Sequence, residues 1–168
     1  VGIMSAALKK GALDAAGYAA MIASTTQLNT PGKELANLDS VHAITDVTGF
    51  GLLGHTREMA LGSKLRAHLQ WSSVPLLLQV ESLAEQGFIT GASGRNWAGY
   101  GKDVHLAAEI TPTQQALLCD PQTSGGLLVS CAADGVDAVL EIFNRHGFAH
   151  AQVLGEMRQG VPGVEVSG

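Results

Sequence analysis

The sequence predicts an α+β sandwich, a mixed β-sheet covered by helices, and three of its features carry that prediction. Stretches with strand character alternate with stretches of helical spacing, and some neighbouring strands lie close enough in sequence to pair as hairpins. Of the 168 residues, 46% are hydrophobic and only 15% charged. That is enough apolar material for one core, and a chain this long is expected to bury roughly 70% of its unfolded surface as a single domain over 1–168. Glycine is abundant, at 21 residues against 5% aromatics. With no collagen period or serine-rich tract, these glycines are expected in turns, at helix ends and in loops that approach a ligand.

The elements follow in order. Val1–Met4 reads as the middle of a strand, and an alanine-rich stretch over 12–24 as a helix. Asn29-Thr30-Pro31-Gly32 marks a loop before a short helical piece at Leu35–Leu38. Val41–Val47 is a strand that runs into Thr48-Gly49-Phe50-Gly51, after which Leu52–Leu61 resumes helical spacing. Leu65, Ala67, Leu69 and Trp71 alternate with polar residues, the mark of a half-buried strand. Pro75 is expected to open a helix that Gly87 closes. The segment 89–102 is dense in Gly, Ser and Asn and reads as a long loop, of the kind that is functional or mobile. Thr111-Pro112-Thr113-Gln114 has the form of a capping box with proline at the first helical position. Leu127–Val129 reads as a buried strand, and Asp134 as the cap of a helix ended by Gly147. Ala149–Met157 and Gly163–Val166 are expected to pair as a terminal hairpin.

Composition narrows the function. Ten Lys+Arg against 15 Asp+Glu, a net charge of −5, provide no footprint for a polyanion, so no nucleic-acid partner is expected. No apolar run reaches the ~20 residues of a membrane span, so no membrane association is expected. Cys119 and Cys131 form neither a disulfide framework nor a Cys-x-x-Cys pair, which points to a reducing cytoplasm and to buried, inert thiols. The six histidines form no cluster with cysteine, which argues against zinc. Lys9 and Lys10 lack a preceding Gly-x-x-x-x-Gly and read as solvent-facing charges at a helix start.

Three stretches are suited to chemistry. In Asp46-Val47-Thr48-Gly49-Phe50-Gly51, a strand passes into a helix, whose unpaired N–H groups and positive dipole end attract an anion such as phosphate. Gly49 and Gly51 allow close backbone approach, and Asp46 is placed to hold Mg²⁺, which takes oxygen ligands and few protein carboxylates. The alternative is a helix cap and a plain turn. Asp120-Pro121-Gln122-Thr123-Ser124-Gly125-Gly126 sets N–H and O–H donors on a short arc, again suited to phosphate, or is a well-capped turn. Arg95 and Asn96 in the glycine-rich segment form a third candidate, a guanidinium able to grip phosphate bidentately, or a solvated loop arginine.

The stretches 43–55 and 117–128 closely resemble two signature stretches in the C-terminal half of the selenophosphate synthetases, also called selenide, water dikinases. The similarity extends to Gly2-Ile3-Met4, Lys9-Lys10-Gly11, Arg95-Asn96 and Val153-Leu154-Gly155-Glu156, and so to essentially the whole chain. It implies the fold of the C-terminal domain of the aminoimidazole ribonucleotide synthetases. It also implies an enzyme that makes selenophosphate, AMP and phosphate from ATP, selenide and water with Mg²⁺, in a cytoplasmic homodimer. Asp46 would bind the metal, while Thr48, Gly49, Gly51, Thr123, Ser124, Gly125 and Gly126 would line the nucleotide site. The family's nucleophile, its partner lysine and most metal aspartates belong to an N-terminal domain that matches nothing here. The expectation is a C-terminal domain, inactive alone, that docks on its own N-terminal domain. The alternatives are the C-terminal domain of another synthetase of the same superfamily and a non-catalytic binding domain.

Overall fold

Ile3, Met4 and Ala7 fall on one helical stripe and are fully buried, and the chain opens as helix α1 (Gly2–Lys9), not as a strand. A short apolar run carries no period of its own, so here packing decides the element. Lys9 and Lys10 are solvent-facing, at the end of this helix and not at its start, where their charge favours the helix dipole. The computed structural model describes residues 1–168.

Helix α2 (Ala15–Thr26) is capped by Asp14, whose carboxylate accepts from the Gly17 N–H at 2.7 Å. Helix α3 (Pro31–Leu35) starts on its proline, four residues before the expected place. Strand β1 (Val41–Asp46), helix α4 (Gly51–Ser63) and strand β2 (Arg66–Gln70) lie where sequence spacing put them. Helix α5 (Val80–Glu85) begins five residues beyond Pro75, after a left-handed Gln79. Strand β3 (Val104–Leu106) precedes helix α7 (Pro112–Leu118), whose capping box is complete, Thr111 and Gln114 each bonding the other's backbone N–H. Strand β4 (Leu127–Cys131) is half-exposed along its length, not buried. Helix α8 (Val136–Arg145) follows a 3₁₀ turn at Ala133–Gly135, and Asp134 sits in that turn without capping the helix. Gly147, at φ +84°, ends it as expected.

The largest local departure is helix α6 (Gly91–Tyr100), where a loop is expected. Each interior glycine costs a helix about 1 kcal/mol relative to alanine, which is why the stretch reads as a loop. Thr90 caps the helix at the Ser93 N–H, 3.1 Å away, and Tyr100 and Ser93 are buried. Tertiary contacts hold an element that local propensity disfavours.

Strands β5 (Gly155–Arg158) and β6 (Gly163–Ser167) do not form a hairpin, because β2 lies between them in a four-stranded sheet of order β3-β6-β2-β5. β6 runs parallel to β2 and β3, and β5 antiparallel to β2. Val164 and Val166 are fully buried, as suits an inner strand, whereas β5 carries Glu156 and Arg158 at the sheet edge, where charge discourages further pairing. β1 and β4 form a separate antiparallel pair, so the expected single sheet is divided in two. Leu53, Leu69, Leu118, Val164 and Val166 join α4, α7 and the mixed sheet in one core; a second joins α1, α2, α5 and α7. No helix is long and apolar enough to cross a membrane.

Candidate functional site

The register of β1 and β4 places Asp46 opposite Leu127, so the turn leaving β1 and the loop entering β4 emerge side by side. Two backbone bonds join them, from Val47 N–H to Gly126 O at 2.9 Å and from Gln122 N–H to Thr48 O at 3.0 Å. Glycine is needed at two points of this contact. A Cβ at Gly125 would overlap the carbonyl oxygen of Val47, and one at Gly51, which has φ +68°, would lie 2.7 Å from the carbonyl carbon of Cys119. Gly49 and Gly126 are different, with nothing within 4 Å of a Cβ at either.

Side chains from elsewhere fasten both loops by their carbonyls. Asn96 of α6 donates through Nδ2 to Gly49 O at 2.9 Å and to Cys119 O at 3.0 Å. Tyr100 O–H donates to Phe50 O at 2.7 Å, and Asn29 Nδ2 to Gly125 O at 2.8 Å. The carbonyls thus turn inward, while the N–H groups of Gly49, Phe50, Thr123, Ser124 and Gly126, all exposed residues, donate to no protein acceptor. The N–H groups of Thr48 and Gly125 are equally unpaired. Together with the first turn of α4 this is a donor-rich surface of the kind that holds anions.

The structure therefore brings the two predicted stretches together. Asp46 lies exposed at the end of β1, and the Thr123 and Ser124 residues are exposed on the second loop. Of the third candidate pair, Asn96 locks the two loops and Arg95 is exposed on the same helix. No group of three or more His, Cys, Asp or Glu is placed to hold a metal. Sequence reasoning passed over Asn29, Tyr100 and His55, whose partners are 96, 50 and 7 residues away.

Asp120 is 2% exposed and accepts from the Ile3 N–H at 3.1 Å, so it serves the start of α1 from across the fold. Burial pushes its carboxyl above the usual range. The same cause raises the thiol of Cys119, which is fully buried, and that of the half-exposed Cys131. Only thiolate reacts. A thiol reagent at neutral pH should therefore modify Cys131 slowly in the native protein and reach Cys119 only on unfolding. Mass spectrometry of the labelled chain checks this, and rapid native labelling of Cys119 would contradict the buried placement.

The fold and its paired loops define the class: the AIR synthase related protein, C-terminal domain family matches residues 3–166, and the chain belongs to that family. Among curated relatives, the selenide, water dikinases of Pseudomonas straminea and Paraburkholderia xenovorans (strain LB400) are each 61% identical over 166 residues. These matches cover 99% of this chain and 46% and 47% of the relatives, so the chain spans about half their length. The selenide, water dikinase of Rhizobium meliloti (strain 1021) is 52% identical over the same share of this chain. Among solved structures, the hydrogenase maturation protein HypE in complex with ATP aligns at a TM-score of 0.56 with 17% identity, covering 78% of this chain and 32% of that one. The thiamine-monophosphate kinase of Stenotrophomonas maltophilia K279a aligns at 0.55 with 22% identity, covering 100% and 48%. At these identities the two structures speak for the fold alone.

Proposed function

We propose that this chain supplies the C-terminal domain of a selenide, water dikinase, forming one wall of the site where ATP and selenide yield selenophosphate, AMP and phosphate. The observation that carries the reading is the surface of unpaired N–H groups on the joined loops, with the hydroxyls of Thr123 and Ser124 beside it. Phosphate oxygens are its chemical complement. The names and identities of the relatives support selenium as the second substrate.

Magnesium fits this surface only in part. Asp46 is a single exposed hard-oxygen ligand at the loop edge, and no cluster of ligands accompanies it. Such an ion would need its other ligands from phosphate and water, as Mg²⁺ commonly takes, and from outside this chain. When bound it neutralises phosphate charge. In this chain, Asp46 would hold it, and the backbone N–H groups of 48–50 and 123–126 would orient the phosphates. The remaining catalytic groups belong to the N-terminal domain of the same enzyme, which on this reading works as a cytoplasmic homodimer.

The test is ³¹P NMR of the complete enzyme with ATP, Mg²⁺ and selenide. Selenophosphate, AMP and orthophosphate are expected together, and the 168-residue chain alone is expected to form none. ATP left intact with selenide but consumed with a different phosphate acceptor would overturn the reading.

A further inference from the structure

His55 has no place in the reading above, yet it is 7% exposed beneath the first loop. Its Nε2 lies 3.2 Å from the hydroxyl of Thr48, and its Nδ1 lies 3.3 Å from a carboxylate oxygen of Glu58, one helical turn further along α4. Glu58 is off the line of an ideal hydrogen bond, since Nδ1 is otherwise buried without an aligned acceptor. The ring of Phe50, 5.8 Å away between centroids, packs beside the imidazole. A threonine, a buried imidazole and a carboxylate thus stand in series, ending at the loop proposed to meet the nucleotide.

We propose that His55, braced by Glu58, is a positioning residue that fixes the direction of the Thr48 hydroxyl. The proposal rests on the assignment of Thr48 to the nucleotide–metal site. A carboxylate beside Nδ1 favours a proton on that nitrogen, because the alternative tautomer turns a lone pair toward negative charge. In the neutral ring Nε2 is then the acceptor. Thr48 O–H donates inward to it, and the lone pairs of the oxygen are left for the open side of the loop. An oxygen in this state suits a cation or its bound water and not a phosphate oxygen. The loop's tasks divide accordingly, with backbone N–H groups facing the anion and the Thr48 oxygen facing the positive counterpart.

The imidazole nitrogens of the 168-residue chain, read by ¹⁵N NMR at mildly alkaline pH, test this without any substrate. His55 is expected as the neutral tautomer with Nδ1 protonated and Nε2 bare. Thr48→Val should move the Nε2 resonance, and Glu58→Gln, at an exposed position, should shift the ring toward the other tautomer. An Nε2 that is protonated in the native chain, or that ignores Thr48→Val, overturns the proposal. In the complete enzyme, Glu58→Gln should lower kcat roughly 10-fold, the low end for residues that orient a ligand, with KM for ATP little changed. His55→Leu should do the same or worse, and His55→Gln, whose amide can still accept from Thr48, should recover most of the rate. A kcat unchanged by Glu58→Gln would also overturn it. A chain with the expected spectra in an enzyme that makes no selenophosphate fails the functional reading alone.

Discussion

Gly125→Ala is expected to destabilise the protein by about 3 kcal/mol or more, the upper range for forcing atoms into a filled space. For a chain of this size that corresponds to a fall in Tm of roughly 10 °C. The added methyl would overlap the carbonyl oxygen of Val47, and that peptide cannot simply swing away. Val47 N–H is bonded to Gly126 O, and Gly125 O is held by Asn29. Relief therefore requires parting the two loops. Gly126→Ala, one residue on, meets open space and should stay within about 0.5 kcal/mol of the parent. Thermal or urea unfolding of the two variants side by side gives the answer, and equal stabilities would mean that the loops are not packed as described. The same open space lets Gly126→Ala and Gly49→Ala probe ligand approach, since on the proposed reading a Cβ at either would stand in the way of a phosphate and touches nothing in the chain itself.

Asp46→Asn is expected to leave folding intact and to reduce Mg²⁺-dependent turnover of the complete enzyme at least roughly 10- to 100-fold. That range is typical for residues one step removed from a metal, and a direct ligand should matter no less. Asp46 is exposed and its carboxylate makes no hydrogen bond within the chain, so the neutral isostere removes charge without disturbing packing. Raising Mg²⁺ should restore part of the rate. A variant as active as the parent at every Mg²⁺ concentration would exclude the metal role, whereas one that unfolds would show that the carboxylate has a structural task.

What could be read from the sequence follows the range of the interactions that decide each element. The β1–turn–α4 unit and the α7 capping box were legible because their signals lie within a few residues: an apolar strand, a glycine turn, a Thr and a Gln three apart. Helix α6 was not, because glycines at 91, 94 and 99 and a polar surface argue against it locally, and the burial of Tyr100 and the bonds of Asn96 that favour it involve residues distant in sequence. The terminal strands failed for a related reason. Nearness in sequence favours a hairpin, but Val164 and Val166 need neighbours on both sides, and β2 and β3 supply them. At the site, Gly49, Gly51, Gly125 and Gly126 could be singled out, but their division of labour could not. Only the distances show that Gly51 and Gly125 are steric necessities and that Gly49 and Gly126 are open.

The inward turn of the loop carbonyls also changes how this chain would meet an anion. Its net charge is −5, and no lysine or arginine reaches the paired loops in a hydrogen bond. On the reading proposed above, the loops' own contribution to that attraction would come from fixed peptide dipoles, which act at short range, with Arg57 and Arg95 in the adjoining cleft. Dipolar contacts of this kind are screened far less by dissolved salt than a patch of mobile cations would be. The asparagines at 29 and 96 hold those dipoles in place before any ligand arrives, so little ordering remains to be done on encounter. The contacts made by these loops would then be short-ranged and selective for a phosphate that fits over one that is merely charged.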